Sequence, residues 1–191
     1  MALRVRLTVD RIPTSCHCSN VRSTVSEGVW NRLRRRVHRQ AGSLCEICGG
    51  VGSGHPVEAH EAWDFDEEAR MQRLVRMIAL CPACHEVKHF GRAVQRGRAE
   101  EARAHLARVN GWSDDQVEEH LRLTETIWRR REEIENWGLD LAALQDYGVV
   151  PPPVMDARER HDTRGARRLR TRRDAEIARE RAQSAGDQPP G

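Results

Sequence analysis

Two cysteine pairs stand out in this 191-residue sequence, Cys45-Glu-Ile-Cys48 and Cys81-Pro-Ala-Cys84. Each C-x-x-C pair presents two thiolates from one tight turn, and two such turns complete the tetrahedron that Zn²⁺ adopts. A structural zinc on Cys45, Cys48, Cys81 and Cys84 is therefore expected. Cys16 and Cys18 have only His17 between them, a poor geometry for a knuckle, and read as packing residues or unpaired thiols. Three histidines of the same stretch, His60, His85 and His89, could join in metal binding. His85 and His89 are four apart and project from one face of a helix. If that helix packs on the segment carrying His60, three imidazoles converge on one divalent cation. Imidazole suits Zn, Ni, Cu and Fe, while harder oxygen ligands suit Mg. Three protein ligands leave positions for water and a phosphate oxygen, and a metal so held can polarise a phosphodiester and stabilise its leaving oxygen. Glu61, next to His60, could activate the attacking water. Glu58, Asp64 and Asp66 read as surface carboxylates, one of which could supply an oxygen ligand.

The elements that must position these groups follow from periodicity. Leu3, Val5, Leu7 and Val9 alternate with polar residues, which predicts a strand over 3–9. Ser26 precedes a stretch to Gln40 in which Trp30, Leu33 and Val37 share a helical face. Two short strands are predicted between the knuckles, over 56–62 and 74–80, bridged by the polar run Asp64 to Gln72. Cys84 to Phe90 reads as a short helix stopped by Gly91, and Ala99 to Val109 as a helix ended by Asn110-Gly111. Ser113 and Gln116 form a capping box for a helix running to about Asn136, with Val117, Leu121, Thr124 and Trp128 as its apolar stripe. Leu139, Leu141 and Leu144 suggest one last short element before Pro151-Pro152-Pro153 breaks the chain. Beyond it, charged residues and few large apolar groups predict a disordered tail, with transient helix around 157–182.

The order C-x-x-C, a strand ending in a histidine pair position, a second strand, then L-C-x-x-C-H-x-x-x-H resembles the HNH endonucleases. It stands here as Cys45–Cys48, Val57-Glu-Ala-His60-Glu61 and Leu80-Cys-Pro-Ala-Cys84-His85-Glu-Val-Lys88-His89. The motif covers about residues 44–91, and the wider pattern, through Asn110-Gly-Trp112 and Trp137-Gly-Leu-Asp140, extends the resemblance over about 3–150. It implies a ββα-metal unit, braced by a treble-clef four-cysteine zinc, that cleaves nucleic-acid phosphodiesters with one divalent metal. His85 and His89 match the family's metal positions. The resemblance makes His60 a metal ligand and puts Glu61 where the general base stands, although the family more often has His-His or Asp-His there. The reverse assignment, His60 as base and Glu61 as ligand, stays open. A carboxylate is the weaker base unless it is desolvated. Arg76 stands where the family has an asparagine, and reads either as a phosphate clamp or as an ion-pair partner.

Composition narrows the class. With 38% hydrophobic and 32% charged residues, a mean hydropathy of −0.73 and no run near the ~18 apolar residues of a spanning helix, no membrane partner is expected. The N-terminus lacks the apolar core of a signal peptide, so a cytoplasmic protein is expected. The net charge is only +3, but residues 1–50 carry nine arginines against three acids, while residues 101–150 carry six bases against eleven acids. Residues 1–150 as a whole balance, with 22 bases and 22 acids. Arg32, Arg34, Arg35, Arg36 and Arg39 are candidate nucleic-acid contacts on the first predicted helix; a solvated helix face is the other reading. The expected fold is α+β: an N-terminal strand and basic helix over 1–43, a zinc and ββα-metal core over 44–91, a helical extension over 92–150 and a tail over 151–191. The expected activity is metal-dependent endonuclease action on double-stranded DNA, with one structural Zn and one catalytic Mg, Mn, Ni or Zn. A zinc-stabilised DNA-binding module without catalysis is the alternative, and an interaction adaptor built on the acidic helices a third.

Overall fold

The computed structural model describes residues 5–17, 19–52, 54 and 56–156. Leu3 of the expected first strand, Cys18, and the tail from residue 157 onward lie outside them. The fold is α+β, and a hairpin organises it. Strands β1 (Glu58–Asp66) and β2 (Met71–Leu80) pair antiparallel, setting His60 opposite Ile78 and Glu61 opposite Met77. Both strands run past their expected ends, because the acidic run closes a tight turn instead of forming a loop. Asp66 accepts from the Ala69 amide and from Arg73, each at 2.8 Å. A third strand, β3 (Gly138–Asp140), adds to β2 in parallel, giving the order β1-β2-β3. Gly138 is needed there: a Cβ would lie 2.8 Å from Met71 Sδ and 2.9 Å from the Met155 carbonyl oxygen.

The two faces of the sheet carry separate cores, because successive β2 side chains point to opposite sides. On one face Met77 and Ala79 pack with Val21 of α1 (Val21–Thr24) and with Leu33 and Val37 of α2 (Glu27–Gln40). Leu139, Leu141 and Leu144 complete that layer. Helix α2 begins as its sequence predicts, with Ser26 capping the Val29 amide. On the other face Ile78 and Leu80 meet α3 (Pro82–Lys88), α4 (Phe90–Gln95), α5 (Ala99–Asn110) and α6 (Asp114–Glu132). Gly111 ends α5 at φ 67°, a conformation glycine adopts without a Cβ penalty, and Ser113 with Gln116 caps α6. Helix α6 stops at Glu132, short of the expected Asn136.

Two expectations need correction. The helix after the second knuckle does not run over Cys84–Phe90 and stop at Gly91. Pro82 starts it, since proline's fixed φ suits a first turn. It breaks at His89 (φ −97°, ψ 44°), and Gly91 lies inside α4. The break belongs to His89, whose carbonyl oxygen accepts from Arg92 and Ala93 and so restarts the helix. Residues 5–9, second, are not a strand. The alternation is real, as Leu7 and Val9 are buried, but no sheet edge receives the segment. Side chains satisfy its backbone instead. Asn110 Oδ1 accepts from the Arg6 and Leu7 amides at 2.8 and 3.1 Å, and Asn110 Nδ2 donates to the Leu7 carbonyl oxygen at 2.8 Å. The Val9 amide donates to His120 Nε2 at 3.1 Å, and the Asp10 amide to the Lys88 carbonyl oxygen at 3.0 Å.

This strapping makes Asn110 a structural keystone. Asn110→Ala leaves two buried Leu7 backbone groups unpartnered, at about 1–3 kcal/mol each. Urea denaturation of the zinc-loaded protein is expected to show a loss of about 2–4 kcal/mol relative to wild type. A loss below about 0.5 kcal/mol would show that the strap is not fixed by this residue.

Candidate metal centres

Cys45, Cys48, Cys81 and Cys84 place their sulfurs within 4.8 Å of one another. The first knuckle is shaped by its own backbone: the Gly49 amide donates to the Cys45 carbonyl oxygen at 2.8 Å, and the Gly50 amide reaches Cys48 Sγ at 3.4 Å. Glu46 locks it to the end of β2, where its amide donates to the Ala79 carbonyl oxygen and its carboxylate accepts from the Ala79 amide. Cys81 caps α3 and Cys84 lies one turn inside it. The Cys48 and Cys81 sulfurs are 3.6 Å apart. A tetrahedral ZnS₄ centre with Zn–S of ~2.3 Å requires about 3.8 Å. The donor chemistry also fits a dication. The hydrogen bond from Cys84 pulls the Cys45 thiol down to about 4. That hydrogen bond holds the Cys84 proton, so Cys84 is pushed strongly up, and burial raises Cys81. Four sulfurs at this spacing cannot all ionise without a cation between them. The set is compatible with a structural zinc.

His105, on α5, is a partner that spacing alone did not single out. Arg108 Nη2 donates to His105 Nδ1 at 2.6 Å, which leaves the proton on Nε2 to point at Cys84 Sγ, 3.1 Å away. Such an N–H contact orients a ligating thiolate and tempers its charge.

The second cluster joins β1 to α3. His60, His85 and His89 also bring ring nitrogens within 4.8 Å of one another. The centroid separations are 5.2 Å for His60–His85, 5.1 Å for His60–His89 and 4.6 Å for His85–His89. His85 and His89 face each other through their Nε2 atoms at 3.1 Å, near the ~3.4 Å that two ligands of a tetrahedral site show at 2.0–2.1 Å. Burial, then the neighbouring His85 and His60, bring the His89 pKa down to about 4, so its imidazole is neutral, the form that binds a cation. The cluster can hold a metal ion.

Carboxylates hold the other edges of these rings. Glu58 Oε2 lies 2.7 Å from His85 Nδ1, so this residue is more than a surface carboxylate. Asp64 and Asp66 sit at the hairpin turn, away from the cluster. Asp10 Oδ2 lies 3.2 Å from His60 Nε2, and its Oδ1 accepts from Lys88 Nζ at 3.0 Å. Burial alone would raise the Asp10 carboxyl, but the His60 hydrogen bond and the Lys88 ammonium more than reverse it, and its pKa is lowered. Lys88, the only lysine of the chain, is itself buried and also donates to Thr8. Asp10 is 50 residues from His60 in sequence, and no spacing signal pointed to it.

Glu61 points to the opposite face of the sheet from His60, where its Oε1 accepts from the Val21 amide at 2.8 Å. Burial pushes its carboxyl up to about 7, partly offset by the Val21 and Arg22 amides. It still lines a cavity of about 560 Å³ together with Asp10 and His89. Arg76 is held by Glu46 at 2.6 Å. Of its two sequence readings, the structure displays the ion pair. Arg32, Arg34, Arg35, Arg36 and Arg39 lie on α2, against the sheet face opposite the histidine cluster, and Arg36 donates to the Asp146 carbonyl oxygen. Cys16 is buried. No helix among the described residues is long and apolar enough to cross a membrane.

Comparison with known proteins yields no match: no family model fits the chain, and no curated protein or solved structure is significantly similar to it.

The two clusters differ in what they hold together, and this is testable. Cys81→Ser is expected to lose bound zinc and cooperative unfolding, because zinc binding is folding free energy at such sites. His85→Ala should keep one zinc per chain and a melting temperature close to wild type. Zinc content and thermal melts of both variants read this directly. Cobalt substitution adds the thiolate charge-transfer absorption, which should vanish only with the cysteine variant.

Proposed function

We propose that this protein is a metal-dependent endonuclease of the HNH type that hydrolyses phosphodiester bonds of double-stranded DNA. The observation that carries the reading is the cluster of His60 from β1 with His85 from α3 and His89 at the break that ends α3, the helix that also carries half of the cysteine site. A hairpin followed by a short helix, with one histidine on the first strand, one on the helix and one at its C-terminal end, is the arrangement that a ββα-metal unit needs. The four cysteines are then its treble-clef structural zinc.

A divalent cation on the three histidines would supply Lewis-acid polarisation of the scissile phosphate and neutralise charge at its leaving oxygen. The chain's own groups do the rest. Glu58 and Asp10 fix the ring orientations of His85 and His60. Glu61 accepts the proton that water loses as its oxygen bonds to phosphorus and the phosphorus–oxygen bond to the leaving sugar breaks. The desolvation that raises its pKa makes this carboxylate a stronger base than an exposed one. One observation favours the second reading, a zinc-stabilised DNA-binding module without catalysis. Arg76, where the resemblance expects an asparagine, is tied to Glu46 on the zinc knuckle and is not aimed at the histidines.

A plasmid assay with Mg²⁺, Mn²⁺, Ni²⁺ and Zn²⁺ separates the two. Nicking or linearisation with at least one metal is expected. His89→Ala should abolish it while keeping zinc and fold, and Glu61→Gln should slow it by about 10²–10⁴-fold. Full activity of His89→Ala would overturn the site. No cleavage by zinc-loaded wild type in any metal would leave the binding module.

A further inference from the structure

The histidine cluster opens onto a second cavity, of about 420 Å³, on the side away from Glu61. Its walls include His85, His89, Glu58 and Glu86, and three arginines, Arg92, Arg96 and Arg98. The charges are not equally committed. Glu58 is engaged by His85 at 2.7 Å, and Glu86 by Arg98 at 2.9 Å. Arg92 and Arg96 form no ion pair with any described carboxylate, and both are exposed. Arg92 lies within α4, and Arg96 caps its C-terminal end four residues on, its amide donating to the Arg92 carbonyl oxygen at 3.2 Å, so the two side chains leave on one face with Cβ atoms about 5–6 Å apart. The backbone break at His89 sets the direction of that face. His89 and Arg92 also line the cavity that holds Asp10 and Glu61. They therefore form the wall shared by both cavities, with uncommitted positive charge running from it along α4.

We propose that Arg92 and Arg96 form a phosphate track, which seats successive backbone phosphates of the nucleic-acid strand next to the one presented to the histidine cluster. The inference rests on the nuclease reading and adds the surface by which the substrate is held. Arginine suits the task, because its planar guanidinium pairs two N–H donors with two phosphate oxygens. Among the described residues these arginines have no ion pair to lose when phosphate arrives. Helix α2 carries more arginines, but it packs behind the sheet, on the face away from the histidines. A strand on α2 would not pass the cluster, whereas one on α4 would.

The test is fluorescence anisotropy of a labelled 20-base-pair duplex with the zinc-loaded full-length chain, without added divalent metal, across a salt series. Arg92→Gln/Arg96→Gln is expected to weaken binding about tenfold or more at low salt, and to lower the slope of log K against log salt by about 2, at ~0.9 for each phosphate no longer neutralised. Arg92→Lys/Arg96→Lys should recover most of that slope, since it restores the charges. Replacing all five α2 arginines by Gln should change affinity by less than about threefold. The proposal is overturned if wild type does not bind, if the α4 double variant binds like wild type with an unchanged slope, or if the α2 variant carries the whole loss. Plasmid cleavage measured alongside keeps the two readings apart. An α4 variant that binds and cleaves normally removes the track alone. Salt-dependent binding lost in that variant, with no cleavage by wild type in any metal, retains the track and removes the nuclease.

Discussion

Four sulfurs gathered within 4.8 Å of one another, a set compatible with a structural zinc, constrain the placement of everything around them. Helix α3 has seven residues, and a helix that short does not stand alone in water. Cys81 at its start and Cys84 one turn on tie it to the first knuckle, and the knuckle is tied in turn to the end of β2 through Glu46. The tether fixes both where α3 begins and how it is rotated. His85 follows Cys84 directly and His89 lies one turn further, so the same tether aims both imidazoles at β1. The histidine cluster is thus a consequence of the cysteine cluster, with β-sheet pairing supplying only the third member, His60.

A second layer of constraint comes from the segment 5–10, which crosses the helical face as a single extended strap. An extended segment outside a sheet must still satisfy its amides and carbonyls. Here Asn110 and His120 take over the work of a neighbouring strand, and burial of Leu7 and Val9 supplies the apolar gain. What the strap delivers is Asp10. Its carboxylate is wedged between His60 and Lys88, the one position where its negative charge is answered on both oxygens. A buried lysine and a buried histidine so close to one carboxylate form a network in which removing a single member strands the others. The chain's only lysine is thus buried next to the histidine cluster and not on the surface.

The sequence made the covalent logic of the site legible and left its supporting contacts hidden. C-x-x-C pairs and an i, i+4 histidine pair signal themselves because their chemistry depends on local spacing, and the structure gathers all seven residues into two clusters. Asp10, Glu58 and His105 act through contacts with residues distant in sequence or on another element, and no periodicity encodes that. The alternation marks one buried side, where Leu7 and Val9 lie, but alternation does not say whether the partner is a strand or a set of side chains. Gly91 misled for a related reason. A glycine ends a helix when it takes a left-handed conformation, as Gly111 does, and Gly91 does not.

Position along the chain is not position on a surface, and for charge the difference matters. The stretch from Arg32 to Arg39 carries five arginines, yet Leu33 and Val37 pack its helix on the sheet face that lacks the histidines. Residues 51–100 are nearly neutral in sum, with seven bases against eight acids, but Glu58, Glu86 and Asp66 are each answered by a named partner: His85, Arg98 and Arg73. Among the described residues, the arginines beside the histidine cluster that form no ion pair are Arg92 and Arg96. The electrostatic character of the site therefore follows from which charges have no partner, a quantity that pairing determines and that no count over the sequence contains.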